Sequence, residues 1–343
     1  MTHQYNIRRY GFTLIEILVV IAIIAVLAGI LLAALSGVQQ TAKKTKTTTL
    51  MQSFARACDE FALDHGRYPG LLPDSAIDGT KITSTQNALL ELMGGARVQH
   101  TTSPITVIDE FDAFSGTNTV AFTDIGGSGW DLVFNQSRFG EGPWISGRVY
   151  EPYFSPKSSD LEYKGSYDSD SPPSENEFGG FPSLVDAWET PIIYLRSIRK
   201  NGPIMDDPVN SGDNEYSLPQ FELPKMDLFF SGALNSNLSL ISEDSEDRVV
   251  WLSLLLSHPT FWEQDDTWFS NGQYTVAWST PRGRYMLLSA GPNTIYLEIE
   301  NTPTNPDSGN DDPYSKNDIM DSSNNKINPT IMDSFDDVIV YGG

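Results

Sequence analysis

Nineteen consecutive residues, Ile17 to Leu35, carry no charge. At helical rise that length covers about 28 Å, close to the thickness of a bilayer's hydrocarbon core. A basic pair, Arg8-Arg9, and a glycine, Gly11, precede the run, and a single acid, Glu16, stands at its entrance. A cleaved secretory signal would have an apolar region of about 7–15 residues before a small-residue cleavage site. This run is longer, although Ala33, Ala34 and Ser36 imitate such a site. A plain anchor explains the length but not the acid. A carboxylate inside a spanning helix costs about 2.5–3.5 kcal/mol and is a functional candidate by default.

Glu16 follows Phe12 by four positions. A cut after Gly11 turns Phe12 into a new α-amino terminus. An amine on one copy and a carboxylate on the next then neutralise each other, provided the copies are packed with the right stagger. The acid therefore reads as a registry device. Glycine suits the cut because it lets backbone approach a protease closely. The segment Gly11-Phe12-Thr13-Leu14-Ile15-Glu16 resembles the class III signal of type IV pilins and type II secretion pseudopilins. The resemblance implies that a prepilin peptidase cleaves between Gly11 and Phe12 and methylates Phe12, and that Glu16 pairs with a neighbour's terminus. It also implies other pilin or pseudopilin subunits and an inner-membrane assembly platform as partners. The topology that goes with it puts the N-terminus in the cytoplasm and the head in the periplasm.

Charge is unevenly placed. Residues 1–70 hold 7 Lys/Arg against 4 Asp/Glu, and the remainder holds 15 against 41. An acidic domain of that size repels phosphate and argues against nucleic acid as a partner. The one cysteine, Cys58, forbids an intrachain disulfide. Charge alone leaves orientation open, since Arg8 and Arg9 precede the span while Lys43, Lys44 and Lys46 follow it.

Beyond the span the helical pattern continues. Leu50, Phe54, Ala57 and Phe61 recur on one helical face, with Arg56, Asp59, Glu60 and Asp64 off it. Gly66 and Pro69 stop the helix. His65, in the last turn, is expected to be a satisfied or solvated residue near the helix dipole rather than a ligand. The sequence thus predicts an α+β chain: a leader at 1–11, a transmembrane and assembly helix at 12–36, the soluble half of a helical spine at 37–66, and an acidic head at 67–343. The spine is expected to pack on an antiparallel sheet carrying large loop insertions.

Within the head, Ala88 to Met93 suggests a short helix ended by Gly94-Gly95. Thr117–Phe122 and Trp130–Phe134 have strand character, and 155–180 reads as an exposed loop rich in Ser, Asp, Pro and Gly. Gly126–Gly129 lacks the lysine and context of a phosphate cradle. Val249 to Leu256 suggests a buried helix, followed by aromatics at Phe261, Trp262, Trp268 and Phe269. Further landmarks resemble pseudopilins. Gly66-Arg67-Tyr68-Pro69 is similar to the family's "GRYP" at the end of the spine. Asp186-Ala-Trp188-Glu189-Thr-Pro191 resembles its entry to the sheet, with Glu189 where glycine is usual. Ser289-Ala-Gly-Pro292 and Asp336-Asp337-Val338 are similar to its last turn and its ending, with insertions at 200–283 and 296–335.

In major pseudopilins a Ca²⁺ pins the last loop. The resemblance makes Asn293, Asp336 and Asp337 the expected ligands here, oxygen donors of the kind Ca²⁺ takes. The alternative is that these are solvated loop acids, since no EF-hand spacing is present. An enzyme is disfavoured. His3, His65, His100 and His258 are scattered, and neither a Gly-x-Ser-x-Gly elbow nor a His-Glu-x-x-His pair occurs. Two structural readings stay open: a subunit of a type II secretion-type pseudopilus, and a minor pilin of a type IV pilus.

Overall fold

The computed structural model describes residues 14–73, 76, 82–100, 119–122, 129–163, 181–199, 204, 220–221, 245–258, 269–270, 273–274, 281–298, 320–321, 326–327, 335 and 337–343. At 30–34, 36, 119–122, 136, 245–248, 250, 269–270, 273–274, 320–321 and 326–327 it describes the backbone alone. The expected aromatics Phe261, Trp262 and Trp268, the residues Gly126, Gly127 and Ser128 and the loop 164–180 lie outside these residues. Two compact units divide the chain, Met1–Thr45 and Lys46–Gly343.

The first unit is helical. It holds the beginning of α1, which runs without a break from Leu14 to His65. Its described apolar side chains point outward on every side. Leu14, Ile15, Ile17, Leu18, Val19, Val20, Ile21, Ile23, Ile24, Val26 and Leu27 are all exposed. A helix that is apolar all round is stable only when something else surrounds it. Among the described residues no helix is long and apolar enough to cross a membrane. The uncharged run includes positions 30–34, whose side chains are outside that description. Two hydroxyls in this unit are turned back onto the helix: Thr41 donates to the Gly37 carbonyl and Thr45 to the Thr41 carbonyl, each at 2.9 Å. Such back-bonding satisfies a hydroxyl without water.

In the second unit α1 changes character. Leu50, Phe54, Ala57 and Phe61 are buried as the spacing predicts, joined by Met51, Ala55 and Cys58. Arg56, Glu60 and Asp64 face solvent. The helix ends at Gly66, in the left-handed region at φ 71°, with its N–H still donating to the Ala62 carbonyl at 2.8 Å.

The strands of the head are β1 (Ala96–His100), β2 (Thr119–Phe122), β3 (Trp130–Asn135), β4 (Trp144–Ile145), β5 (Arg148–Val149), β6 (Leu161–Glu162), β7 (Ser183–Leu184), β8 (Ile193–Arg196), β9 (Phe269–Ser270), β10 (Gln273–Tyr274), β11 (Tyr285–Ser289), β12 (Met320–Asp321), β13 (Lys326–Ile327) and β14 (Val338–Gly342). Two antiparallel sheets of three strands carry the core, in the orders β14-β11-β8 and β1-β3-β2. The remaining strands form two-stranded pairs. In the first sheet Leu287 of β11 stands between Tyr194 of β8 and Val340 of β14. Its inner side chains pack with the buried face of α1: Phe54 meets Phe154 and Tyr194 edge-on, with centroids at 5.2 and 5.4 Å. The Tyr285 hydroxyl donates to the Ala55 carbonyl at 2.9 Å. Each such buried side chain is worth about 1.5–3 kcal/mol of transfer free energy.

α2 (Ser84–Met93) begins four residues earlier than expected, and every one of its residues is buried. Its start signal is a capping box, Thr83 with Gln86, in which each side chain takes the other's backbone N–H. The polar first turn faces β8. Thr85 donates to the Ile192 carbonyl at 2.7 Å and accepts from the Tyr194 N–H at 3.0 Å, while Ser84 donates to the Tyr194 carbonyl. The helix thereby completes the backbone of an edge strand. It stops at Gly94-Gly95 as predicted, where Gly94 at φ 78° bridges to Gly142. α3 (Ser245–Leu256) is buried at Trp251, Leu252, Leu254, Leu255 and Leu256, in line with the expected helix.

The loop expected at 155–180 is in part ordered structure. Asp160 is buried, its carboxylate 2.7 Å from the Lys46 amine, and Leu161–Glu162 pairs with Ser183–Leu184. A buried acid needs a partner, and the first lysine of the second unit supplies it.

The turn into β8 explains the glycine usual at position 189. Glu189 sits at φ 67°, a conformation that costs an L-residue about 1–2 kcal/mol. Replacing Glu189→Gly should raise stability by up to about 1 kcal/mol, the relief of strain exceeding the added chain entropy of glycine. Denaturant unfolding checks this, and a loss of stability would show that the side chain of Glu189 contributes more than its backbone costs.

Candidate functional site

The amino-terminal candidates divide at the edge of the described residues. Gly11 and Phe12 lie outside them. Glu16 lies in the first turn of α1 and is exposed within the single chain. Further along the same unit, a Cβ placed on Gly29 or Gly37 would meet nothing within 4 Å. Nothing in the chain itself demands glycine at either position.

At the other end of α1, the Gly66-Arg67-Tyr68-Pro69 landmark joins three elements. Tyr68 packs edge-on against Tyr285 at 5.3 Å. Arg67 forms a two-pronged pair with Glu91 of α2, one contact at 2.7 Å, and the Gly70 N–H adds a third bond to the same carboxylate at 2.6 Å. Glu91 is 2 % exposed, so this pairing is what makes its charge tolerable. From β8, Arg196 donates to the carbonyls of Tyr68, Gly70 and Leu72 at 3.2–3.4 Å. Asn87 of α2 then holds Leu72 through both its N–H and its carbonyl. His65 is satisfied, its Nε2 3.1 Å from the Tyr153 hydroxyl and its ring against Phe61 and Tyr150.

The C-terminal candidates gather around the end of β11. Asp186 receives the Trp188 and Thr190 N–H groups on one oxygen, at 2.8 and 3.0 Å, and the Ser289 hydroxyl on the other at 2.7 Å. Asn293 ends a short 3₁₀ turn, Gly291–Asn293. Its amide donates to Glu298 at 2.7 Å and its oxygen accepts from the Ile295 N–H at 3.0 Å. The buried Asp337 carboxylate accepts the Leu297 N–H on both oxygens, at 3.0 and 3.1 Å. Tyr296 is fully buried, and its hydroxyl donates to the Pro191 carbonyl. Burial first, then the charges of Asp186 and Asp337, push its pKa well above the usual phenol range, so it stays a donor.

Of the three residues expected to hold Ca²⁺, Asn293 bonds Glu298, Asp337 accepts the Leu297 N–H, and Asp336 lies outside the described residues. Among the described residues no group of three or more His, Cys, Asp and Glu is placed to hold a metal. The oxygens of Asn293 and Asp337 already accept backbone N–H groups. The residues that close this loop, Asp186, Ser289 and Glu298, were not singled out as ligands or latches. Asp186 had a legible signal, an Asx residue two and four positions before the N–H groups it caps.

Comparison with known proteins bears on the amino-terminal segment. The family described as "Prokaryotic N-terminal methylation motif" matches residues 7–32. The chain is also 41% identical over 66 residues to type II secretion system core protein G of Pectobacterium carotovorum subsp. carotovorum, covering 19% of this chain and 42% of the relative. It is 40% identical over 62 residues to the protein of the same name from Klebsiella pneumoniae, covering 18% and 44%. Over this segment the chain is similar to type II secretion pseudopilins and carries the methylation motif. A fimbrial protein of Neisseria meningitidis serogroup B (strain ATCC BAA-335 / MC58) is 37% identical over 65 residues, 19% of this chain and 38% of the relative. The chain thus spans less than half the length of the curated relatives it matches. No solved structure matches it.

The Arg67–Glu91 pair ties the end of α1 to α2. Glu91→Ala should destabilise by about 2 kcal/mol or more, because it strands the Gly70 N–H and leaves Arg67 without its carboxylate. Thermal unfolding monitored by circular dichroism tests this, and a variant that melts with the wild type removes the pair's role.

Proposed function

We propose that this protein is a structural subunit of a type II secretion-type pseudopilus. A prepilin peptidase cleaves it between Gly11 and Phe12 and methylates Phe12. It then joins its neighbours through the first part of α1. Before assembly, residues 12–36 cross the inner membrane, with the leader in the cytoplasm and the head in the periplasm. One observation carries the reading: the methylation motif at 7–32 opens a helix whose described apolar side chains, from Leu14 to Leu27, are exposed on every side. Such a surface needs lipid before assembly and neighbouring helices after it.

Glu16 sets the stagger. Its carboxylate meets the α-amine of Phe12 on a neighbouring copy, and burial in the filament makes an unmatched charge costly. A minor pilin of a type IV pilus is the second reading, favoured by the similarity to the Neisseria fimbrial protein and by a head of nearly three hundred residues, a bulk that crowds a repeating filament. A structural role agrees with the names of both kinds of relative.

Calcium remains part of the proposal. Asn293, Asp336 and Asp337 would hold a Ca²⁺ that pins the last loop, supplying hard oxygen donors where the chain has no disulfide.

Two variants separate processing from registry. Gly11→Ala should accumulate the full-length form beginning at Met1, seen by mass spectrometry, while Glu16→Ala should be inserted and processed but enter filaments poorly beside wild-type copies. Normal incorporation of Glu16→Ala would falsify the pairing, and a wild-type chain that keeps Met1 in the presence of the peptidase removes the family's processing altogether. For calcium, millimolar Ca²⁺ should raise the melting temperature of the full chain in detergent, with Mg²⁺ as the control. An unchanged melting curve disposes of the site.

A further inference from the structure

The loop after α1 forms one wall of an open cleft of about 810 Å³ in the second unit. Four arginines line it, Arg67, Arg196, Arg199 and Arg284, and no Asp or Glu is among its described lining residues. Composition works against such a gathering, since the chain holds 22 Lys/Arg against 45 Asp/Glu. The four come from separate places: the loop after the spine, the end of β8, the segment beyond it, and the residue before β11.

Two of the four are fixed by the fold. Arg67 is held by Glu91, and Arg196 donates to three carbonyls of the loop that it supports. The other two stand on anchored backbone. The Arg199 N–H donates to the Gln220 carbonyl, and Arg284 has its N–H on Gly342 and its carbonyl on Ser197. Arg199 is exposed and Arg284 half-buried, so their guanidinium groups are within reach of a ligand. Tyr68 and Trp130 supply an apolar surface beside them. Guanidinium stays charged at every accessible pH and presents paired donors that match a carboxylate.

We propose that this cleft binds an acidic, extended segment of another polypeptide, with side-chain carboxylates on Arg199 and Arg284 and with Arg196 adding to the field, while Arg67, balanced by Glu91, shapes the wall. Spread over four chain segments, the charges suit several carboxylates along a chain better than one compact anion. A phosphate site is built differently, from converging backbone N–H groups at a helix N-terminus or nest. The acidic balance of the head as a whole opposes the approach of such a segment to most of its surface. The inference does not rest on the filament reading and concerns the head alone.

The test uses the full chain in zwitterionic detergent with fluorescein-labelled hexaglutamate, read by anisotropy. Hexaglutamate should bind at low ionic strength and weaken as salt rises, and neutral hexaglutamine should not bind. The double variant Arg199→Gln/Arg284→Gln should weaken binding by about tenfold or more without lowering the melting temperature. If the double variant melts early, Arg199→Gln alone, at an exposed position, must still weaken it. Equal binding of hexaglutamate and hexaglutamine, or binding indifferent to these variants, overturns the proposal. So does displacement by an equal concentration of inorganic phosphate, which would make the cleft a small-anion site. A concentration-dependent dimer lost in the double variant, with no peptide binding, would assign the cleft to a second copy and overturn it as well.

Discussion

Phe54, Cys58 and Phe61 are fully buried on a stripe of α1, while Leu14 to Leu27 of the same helix are exposed on every side. The head is built to cover that stripe. Tyr194, Leu287 and Val338 come from the three strands of one sheet and belong to the same core as the helix face. Tyr285 reaches the helix backbone through its hydroxyl, at a carbonyl that back-bonds within the helix as well. Burial also pushes the Cys58 thiol well above its ordinary range, so that it acts as a small apolar side chain rather than a reactive one. The described apolar side chains from Leu14 to Leu27 are exposed instead. One continuous helix thus carries two solutions to the same problem: one apolar stripe paired internally, and a full apolar circumference that must be paired externally.

The end of the helix shows how local chemistry becomes tertiary structure. Gly66 permits the turn, and the next residues are each used by a different element. Arg67 goes to α2, Tyr68 to β11, and the carbonyls from Tyr68 to Leu72 go to Arg196 of β8. A short landmark that resembles a family signature is therefore a junction, and its residue types follow from what each must reach.

Much of this was legible in the sequence because it rests on periodicity. The stripe at Leu50, Phe54, Ala57 and Phe61 and the helix at 249–256 announce themselves by spacing or by runs of apolar residues. α2 was only half visible. Its first turn, Ser84-Thr-Gln-Asn87, is polar and looks like loop, yet it is buried because β8 needs hydroxyl and amide partners. β1 was missed for a related reason: Ala96-Arg-Val-Gln-His100 alternates weakly, and pairing with β3 makes it a strand. Asp160 and Asp186 looked like surface acids. Their burial follows from contacts distant in the chain, with Lys46 and Ser289, which no local pattern encodes.

The polar first turn of α2 has one more consequence. An outer strand normally leaves a row of N–H and C=O groups that a second molecule can extend, and this is a common start of aggregation. Here Ser84 and Thr85 close that row at Ile192 and Tyr194 with side-chain oxygens. Copies crowded side by side would find no open ladder at Ile192 and Tyr194 to lengthen along that border.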